Sequence, residues 1–153
     1  MSRVWLARPD EAGDVSRLLV AFRDWWGRDE PGDASFRASV DRLIGSEDTE
    51  FLLAAAGPDQ RPAGVAQLRF RWTVWWAAED CWLEDLYVED AARGAGLGRM
   101  LVEATLERAR ARGCRRVELD VNTGNPAALA LYRACGFTTG KGAGEDLLMS
   151  RRV

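Results

Sequence analysis

Seven consecutive residues, Arg93-Gly94-Ala95-Gly96-Leu97-Gly98-Arg99, hold the densest chemistry in the chain. They follow the apolar run Cys81–Val88 and precede Met100–Glu107, so a strand, a glycine-rich turn and a helix start meet there. Glycine lets the main chain take φ > 0 and come close to a ligand. The first N–H groups of a helix lack partners within it, and the helix dipole draws anions to that end. With arginine at both ends, the turn suits phosphate. A dinucleotide fingerprint would need glycine where Arg99 stands, and a P-loop needs Gly-Lys, whereas the sole lysine is Lys141. What stands is R-x-x-G-x-G, read as Arg93, Gly96 and Gly98; the competing reading is an ordinary strand–helix connection.

Just before the turn lie two neighbouring carboxylates, Glu84 and Asp85. A lysine-like amine, with pKa near ~10.4, is neutral in only about one molecule in a thousand at pH 7. A carboxylate takes up that proton directly or through water. Adjacent strand residues face opposite ways, so one of the pair faces a given site unless a bulge intervenes. Histidine is absent, which removes Ser-His-Asp and Cys-His catalysis and histidine metal sites. Cys81, Cys114 and Cys135 are far apart and form no C-x-x-C pair, so no metal is expected. Without histidine, Cys81 and Cys135 have no evident activating base and are read as core packing.

The 153 residues fit a single domain, 1–153. With 47% hydrophobic and 29% charged residues, the balance is that of a soluble globular protein. No run approaches the roughly 20 apolar residues of a membrane span, and no signal-peptide core opens the chain. A cytoplasmic protein without a membrane partner is expected. A net charge of −3 gives no electrostatic footprint for nucleic acid and mildly suits cationic substrates.

Period and punctuation place strands at Val4–Arg8, Glu50–Ala56, Ala63–Val74, Cys81–Val88 and Arg116–Val121. A closing hairpin of Phe137–Thr139 and Asp146–Ser150 around Gly140–Gly144 is expected. Val15, Leu18, Leu19, Phe22 and Trp26 share one helical face, with Asp14 as the expected cap. Further helices are expected over Ser35–Ile44, from the glycine turn to Gly113, and over Pro126–Cys135. The class is α/β, with a mixed central sheet of six to seven strands and about four flanking helices.

After the fifth strand, Asn125, Tyr132, Gly136 and Phe137 form N-x6-Y-x3-G-F. Together with Leu83-Glu84-Asp85-Leu86-Tyr87-Val88 and the glycine turn, this resembles the GNAT N-acetyltransferase superfamily over roughly residues 80 to 140. The resemblance implies a sheet splayed at its fourth strand and acetyl-CoA as co-substrate. It further implies that the backbone of Leu86, Tyr87 and Val88 pairs with the pantetheine arm. The backbone of Arg93, Gly94, Ala95, Gly96, Leu97, Gly98 and Arg99 would hold the pyrophosphate, and Asn125 would contact the cofactor. Tyr132 would be general acid to the departing sulfur. The Leu-Glu-Asp stretch is similar to polyamine-type members and implies Glu84 as base, with direct transfer to a small primary amine. Asn125-Pro126 is equally a helix start, and Tyr132 on its helix could be core.

Seven tryptophans complete the picture, with Trp25 and Trp26 ending the first helix and Trp72, Trp75, Trp76 and Trp82 near the third-to-fourth strand hairpin. Aromatic faces attract ammonium groups, so Trp26, Trp72 and Asp85 are acceptor candidates. Core packing, or a homodimer contact, competes for the tryptophans. A non-catalytic acyl-CoA sensor and a protein or peptide N-acetyltransferase are the alternative functions.

Overall fold

The computed structural model describes residues 1–140, 142–144 and 147–153. Among them, five strands form one sheet in the order β1 (Arg3–Leu6), β2 (Thr49–Ala55), β3 (Gly64–Thr73), β4 (Ala78–Val88) and β5 (Val117–Glu118). The first three pairings are antiparallel, and β4 with β5 is parallel. Four helices flank it: α1 (Ala12–Trp25), α2 (Asp33–Leu43), α3 (Leu97–Ala111) and α4 (Pro126–Ala134).

Strand side chains alternate between two covered faces. Leu52, Ala66, Leu68 and Leu83 pack with Leu97, Leu101 and Val102 of α3 on one side. Phe51, Leu53, Val65 and Tyr87 pack with Val15 and Leu18 of α1 and Val40 of α2 on the other. Bidentate pairs from Arg108 to Glu50 (2.6 and 2.8 Å) and from Arg112 to Glu79 (2.9 and 3.0 Å) tie the end of α3 to the sheet.

The α/β class, the mixed sheet and the four helices match the sequence, β4 begins three residues early, at Ala78, and three larger details differ. Helix α1 starts at Ala12, ahead of the expected cap Asp14, which sits inside its first turn. The cause is Glu11, whose carboxylate accepts the Arg8 N–H at 2.8 Å and the Trp5 indole N–H at 3.0 Å, starting the turn early. The strand expected over Arg116–Val121 shortens to two residues, because beyond Glu118 a cavity separates the chain from β4. Of the expected closing hairpin, Lys141, Glu145 and Asp146 lie outside the described residues, and 137–139 and 147–150 carry no strand, so five strands stand where six to seven were expected.

Between β3 and β4 the register shifts: Leu68 pairs with Leu83 but Gln67 pairs with Asp85, leaving Glu84 as an extra residue. This β-bulge resets the alternation. Leu83 faces α3, and so do Leu86 and Val88, whereas Tyr87 faces α1 and Asp85 opens on the α1–α2 side. No helix among the described residues is long and apolar enough to cross a membrane.

Leu101, with no exposed surface, seats α3 on the sheet. Leu101→Ala is expected to cost about 2–5 kcal/mol in urea unfolding. Glu107→Ala, on the exposed face of the same helix, is expected to stay within about 0.5 kcal/mol.

Candidate active site

Where β4 ends, a short 3-10 turn leads into the glycine segment. Gly94 and Gly96 have φ of +83° and +80°, and nothing lies within 4 Å of where a Cβ would project from either. Gly96 is the N-cap of α3 in left-handed geometry, with no side-chain cap. The first main-chain bond of the helix runs from the Met100 N–H to Gly96 O, so the N–H groups of Leu97, Gly98 and Arg99 precede the helical ladder. Gly98 serves closeness instead: a Cβ there would sit 3.2 Å from a methyl of Leu131 in α4. Ala95 is exposed and Leu97 is buried, anchoring the turn.

The flanking arginines are engaged elsewhere. Arg93 donates from Nε to Val88 O at 3.1 Å, pairs with Asp90 at 3.0 Å, and lies 5.3 Å from the Trp25 ring centroid. Arg99 pairs with Glu103 at 3.0 Å on the surface of α3. The groups the turn leaves unengaged are therefore those of its main chain.

Strand β4 supplies a second set of main-chain groups. The Glu89 N–H bonds to Ala63 O beside β3. Alternation then turns Tyr87 toward β3 and leaves the N–H and C=O of Leu86 and Val88 on the other edge. β5 does not reach that edge, because its pairing with β4 ends at Trp82.

A cavity of about 410 Å³ fills the gap, bounded by Leu83–Leu86 on one wall and by Asp120–Asn125 and α4 on the other. Glu84, Asp85, Asp120 and Tyr132 all line it. Burial first, then the charges of Glu84 and Asp120, push the Asp85 carboxyl up to about 6. Glu84 and Asp120 are exposed. Tyr132 is 8% exposed, stacks edge-on to Phe137 at 5.8 Å, and makes no hydroxyl hydrogen bond among the described residues. Burial, reinforced by Asp85 and Asp120, pushes its phenol up to about 12, so it stays protonated at neutral pH. Asn125 caps α4 by accepting the Ala128 N–H at 3.2 Å while also lining the cavity. Burial likewise pushes the Cys81 thiol up to about 12, which removes its nucleophilic form.

Trp26 lines the cavity with Phe22 and Phe36, and Phe22 stacks on Tyr87 at 5.3 Å. Trp72 is 68% exposed beside the β3–β4 hairpin tip, paired with Glu79, and lines no part of the cavity. The site thus gathers the carboxylates, Tyr132, Asn125 and Trp26, but not Trp72. Asp120 and Phe36 were not singled out from sequence. The polar residue ending the fifth strand could have pointed to Asp120; nothing local marked Phe36.

Residues 18–137 match the family model described as the acetyltransferase (GNAT) family. The chain belongs to the GNAT family. Its enzyme class is N-acetyltransferase. The chain is 33% identical to thialysine N-epsilon-acetyltransferase of Bos taurus, with 85% of this chain and 80% of that one covered. It is 30% identical to glucosamine 6-phosphate N-acetyltransferase 1 of Oryza sativa subsp. japonica, over 85% and 79% of the two chains. Among solved structures, that of a putative acetyltransferase from Arthrobacter sp. FB24 superposes with a TM-score of 0.87 at 31% identity, covering 99% of this chain and 96% of that one. An aminoglycoside N-acetyltransferase in complex with CoA shares the fold, with a TM-score of 0.80 at 16% identity, over 100% and 95%.

Two outcomes follow from this geometry. Gly96→Ala places a side chain at φ +80° and is expected to lose about 1–2 kcal/mol of stability in urea together with affinity for coenzyme A in calorimetry. For Asp85, the folded pKa lies above the unfolded value near ~3.9, so the fold loses stability as pH rises from about 4 through about 6. Asp85→Asn should match the wild type near pH 4 and gain on the order of 3 kcal/mol above pH 6, read by thermal unfolding across pH.

Proposed function

We propose that this protein transfers an acetyl group from acetyl-CoA to the primary amine of a small cationic acceptor, by direct attack and in the cytoplasm. The observation that carries the reading is the cavity between β4 and the 120–125 segment, with an elevated carboxyl at Asp85 and a free phenol hydroxyl at Tyr132 facing one space. Three free cysteines suit a reducing compartment.

The residues present fit the cofactor. The open glycine turn and uncapped start of α3 suit a pyrophosphate. The edge at Leu86 and the Val88 N–H, with Val88 O held by Arg93, suits an extended amide-bearing arm, held as an added strand. Asn125 keeps its amide nitrogen available beside them. Bound there, acetyl-CoA supplies an activated acyl carbon with a thiolate leaving group.

The chain's own residues do the remainder. The Leu86 N–H, on the open edge, is positioned to polarise a carbonyl. Asp85 holds the incoming ammonium and takes its proton, with Glu84 as the outer carboxylate that draws the cation in and raises Asp85. This divides the base role first assigned to Glu84, because the bulge turns Asp85 into the cavity. Tyr132, protonated throughout the physiological range, gives its proton as the sulfur departs. Phe22, Trp26 and Phe36 line the acceptor side, where aromatic faces favour ammonium groups.

Tyr132→Phe is expected to lower kcat by about 10²-fold with coenzyme A affinity kept, read by thiol release and calorimetry. Wild-type kcat/KM should fall as pH drops below about 6, the value of Asp85, and Asp85→Asn should lose that limb with most of the rate. Full turnover in a Tyr132→Phe/Asp85→Asn double variant would sink the mechanism.

A further inference from the structure

Beside the main cavity lies a second, of about 180 Å³, between α2 and the sheet. The two share Leu19, Pro31, Phe36 and Asp85, so Asp85 stands at their junction. Val40, Leu43 and Phe51 give the side cavity apolar walls, Ser35 and Ser39 stand at its exposed rim, and Asp85 is the only charged residue lining it among the described residues. Gln67 enters it from β3. That side chain belongs to a residue only 7% exposed, yet its amide makes no hydrogen bond among the described residues. Its amide atoms are not among the fully buried unpaired ones, so they open on the cavity space, where a ligand can take them as partners.

Its position tells what the partner is. Gln67 pairs directly with Asp85 across the two strands, and the Glu84 bulge is what brings them into register. Side chains so paired have Cβ atoms about 4.5–5.5 Å apart. A molecule whose amine rests on Asp85 therefore meets Gln67 only a few bonds from its nitrogen. A second ammonium would enter apolar walls with no carboxylate to face it, a costly burial. A phosphate or carboxylate would find no basic residue among the described residues lining this cavity.

Resting on the acetyl-transfer reading, we infer that the side cavity receives the body of the acceptor. The acceptor is a primary monoamine with an uncharged hydroxyl or carboxamide a few bonds from the nitrogen, followed by a compact apolar group. Gln67 is the specificity-determining residue that reads the polar group, and the floor beneath α2 takes the tail.

Thiol release from acetyl-CoA, measured with leucinol, isoamylamine (the same skeleton without the hydroxymethyl group) and spermidine, tests this. Wild type should favour leucinol over isoamylamine by about tenfold or more in kcat/KM, since a site built to hydrogen-bond a hydroxyl rejects the analogue lacking it. In Gln67→Met that ratio should shrink to within about threefold with isoamylamine turnover retained. Ser39→Phe, from the exposed rim of the side cavity, should cut leucinol turnover while sparing ethanolamine, which has no tail. Equal losses for both amines in Gln67→Met, unchanged leucinol turnover in Ser39→Phe, or a wild-type preference for spermidine would overturn the subsite alone. No thiol release with any amine would overturn the transferase reading and the subsite with it.

Discussion

Only two residue pairs, Cys81 with Val117 and Trp82 with Glu118, hold β5 to β4. Past them the sheet is open along one edge in its own interior, and the rest of the molecule is arranged around that opening. Unpaired main-chain groups at an exposed edge invite association with other strands. Here the edge is covered instead, by α1 on one side and α4 on the other, with Arg93 closing its end through Val88 O. An extended ligand fits such an edge in the way a further strand would. The main chain there is preorganised for hydrogen bonding with no helix or strand competing for it.

The glycine turn and α3 extend the same logic. A helix start without a side-chain cap leaves N–H groups unspent, and a native fold tolerates this where water or a ligand serves them. Packing holds the helix in place regardless: Leu97 and Leu101 are buried under β3 and β4, and Gly98 lets α4 come close enough for Leu131 to touch. The position of α4 in turn sets Tyr132 against the gap. One close approach thus couples the end of the strand, the glycine turn and the phenol.

Much of this was legible in the residues. The turn, the strand before it, the helix after it and the Asn125–Tyr132 spacing appear where the sequence put them, because local chemistry fixes them: glycine at positive φ, proline at a helix start, apolar residues at helical spacing. The early start of α1 was missed because it depends on Trp5 and Arg8 meeting the Glu11 carboxylate. The shortness of β5 was missed because Arg116–Val121 is a good strand by composition, and only a tertiary gap ends it. Least visible of all was the residue at which a bulge falls. Leu83 to Val88 reads equally well in either register, so the face to which Asp85 turns was undetermined until β3 was laid beside it. Trp72 belonged by residue type to a cation site and by position does not, since residues paired at 79 and 85 of one strand are roughly 20 Å apart.

The bulge also decides the energetics of the proton. In water, moving a proton from an amine near ~10.4 to a carboxylate near ~3.9 is uphill by about 9 kcal/mol at about 1.4 kcal/mol per tenfold. Turning Asp85 into a partly buried cavity beside Glu84 and Asp120 raises it to about 6, which brings the deficit to about 6 kcal/mol. The same loss of water lowers the pKa of an entering amine, so one environment moves donor and acceptor toward each other. Tyr132 is buried as well and feels the charges of Asp85 and Asp120, and responds by holding its proton more tightly. A single patch of low polarity with three carboxylates at its edge therefore favours a stronger base on one side and a fully protonated acid on the other. No histidine is required for either.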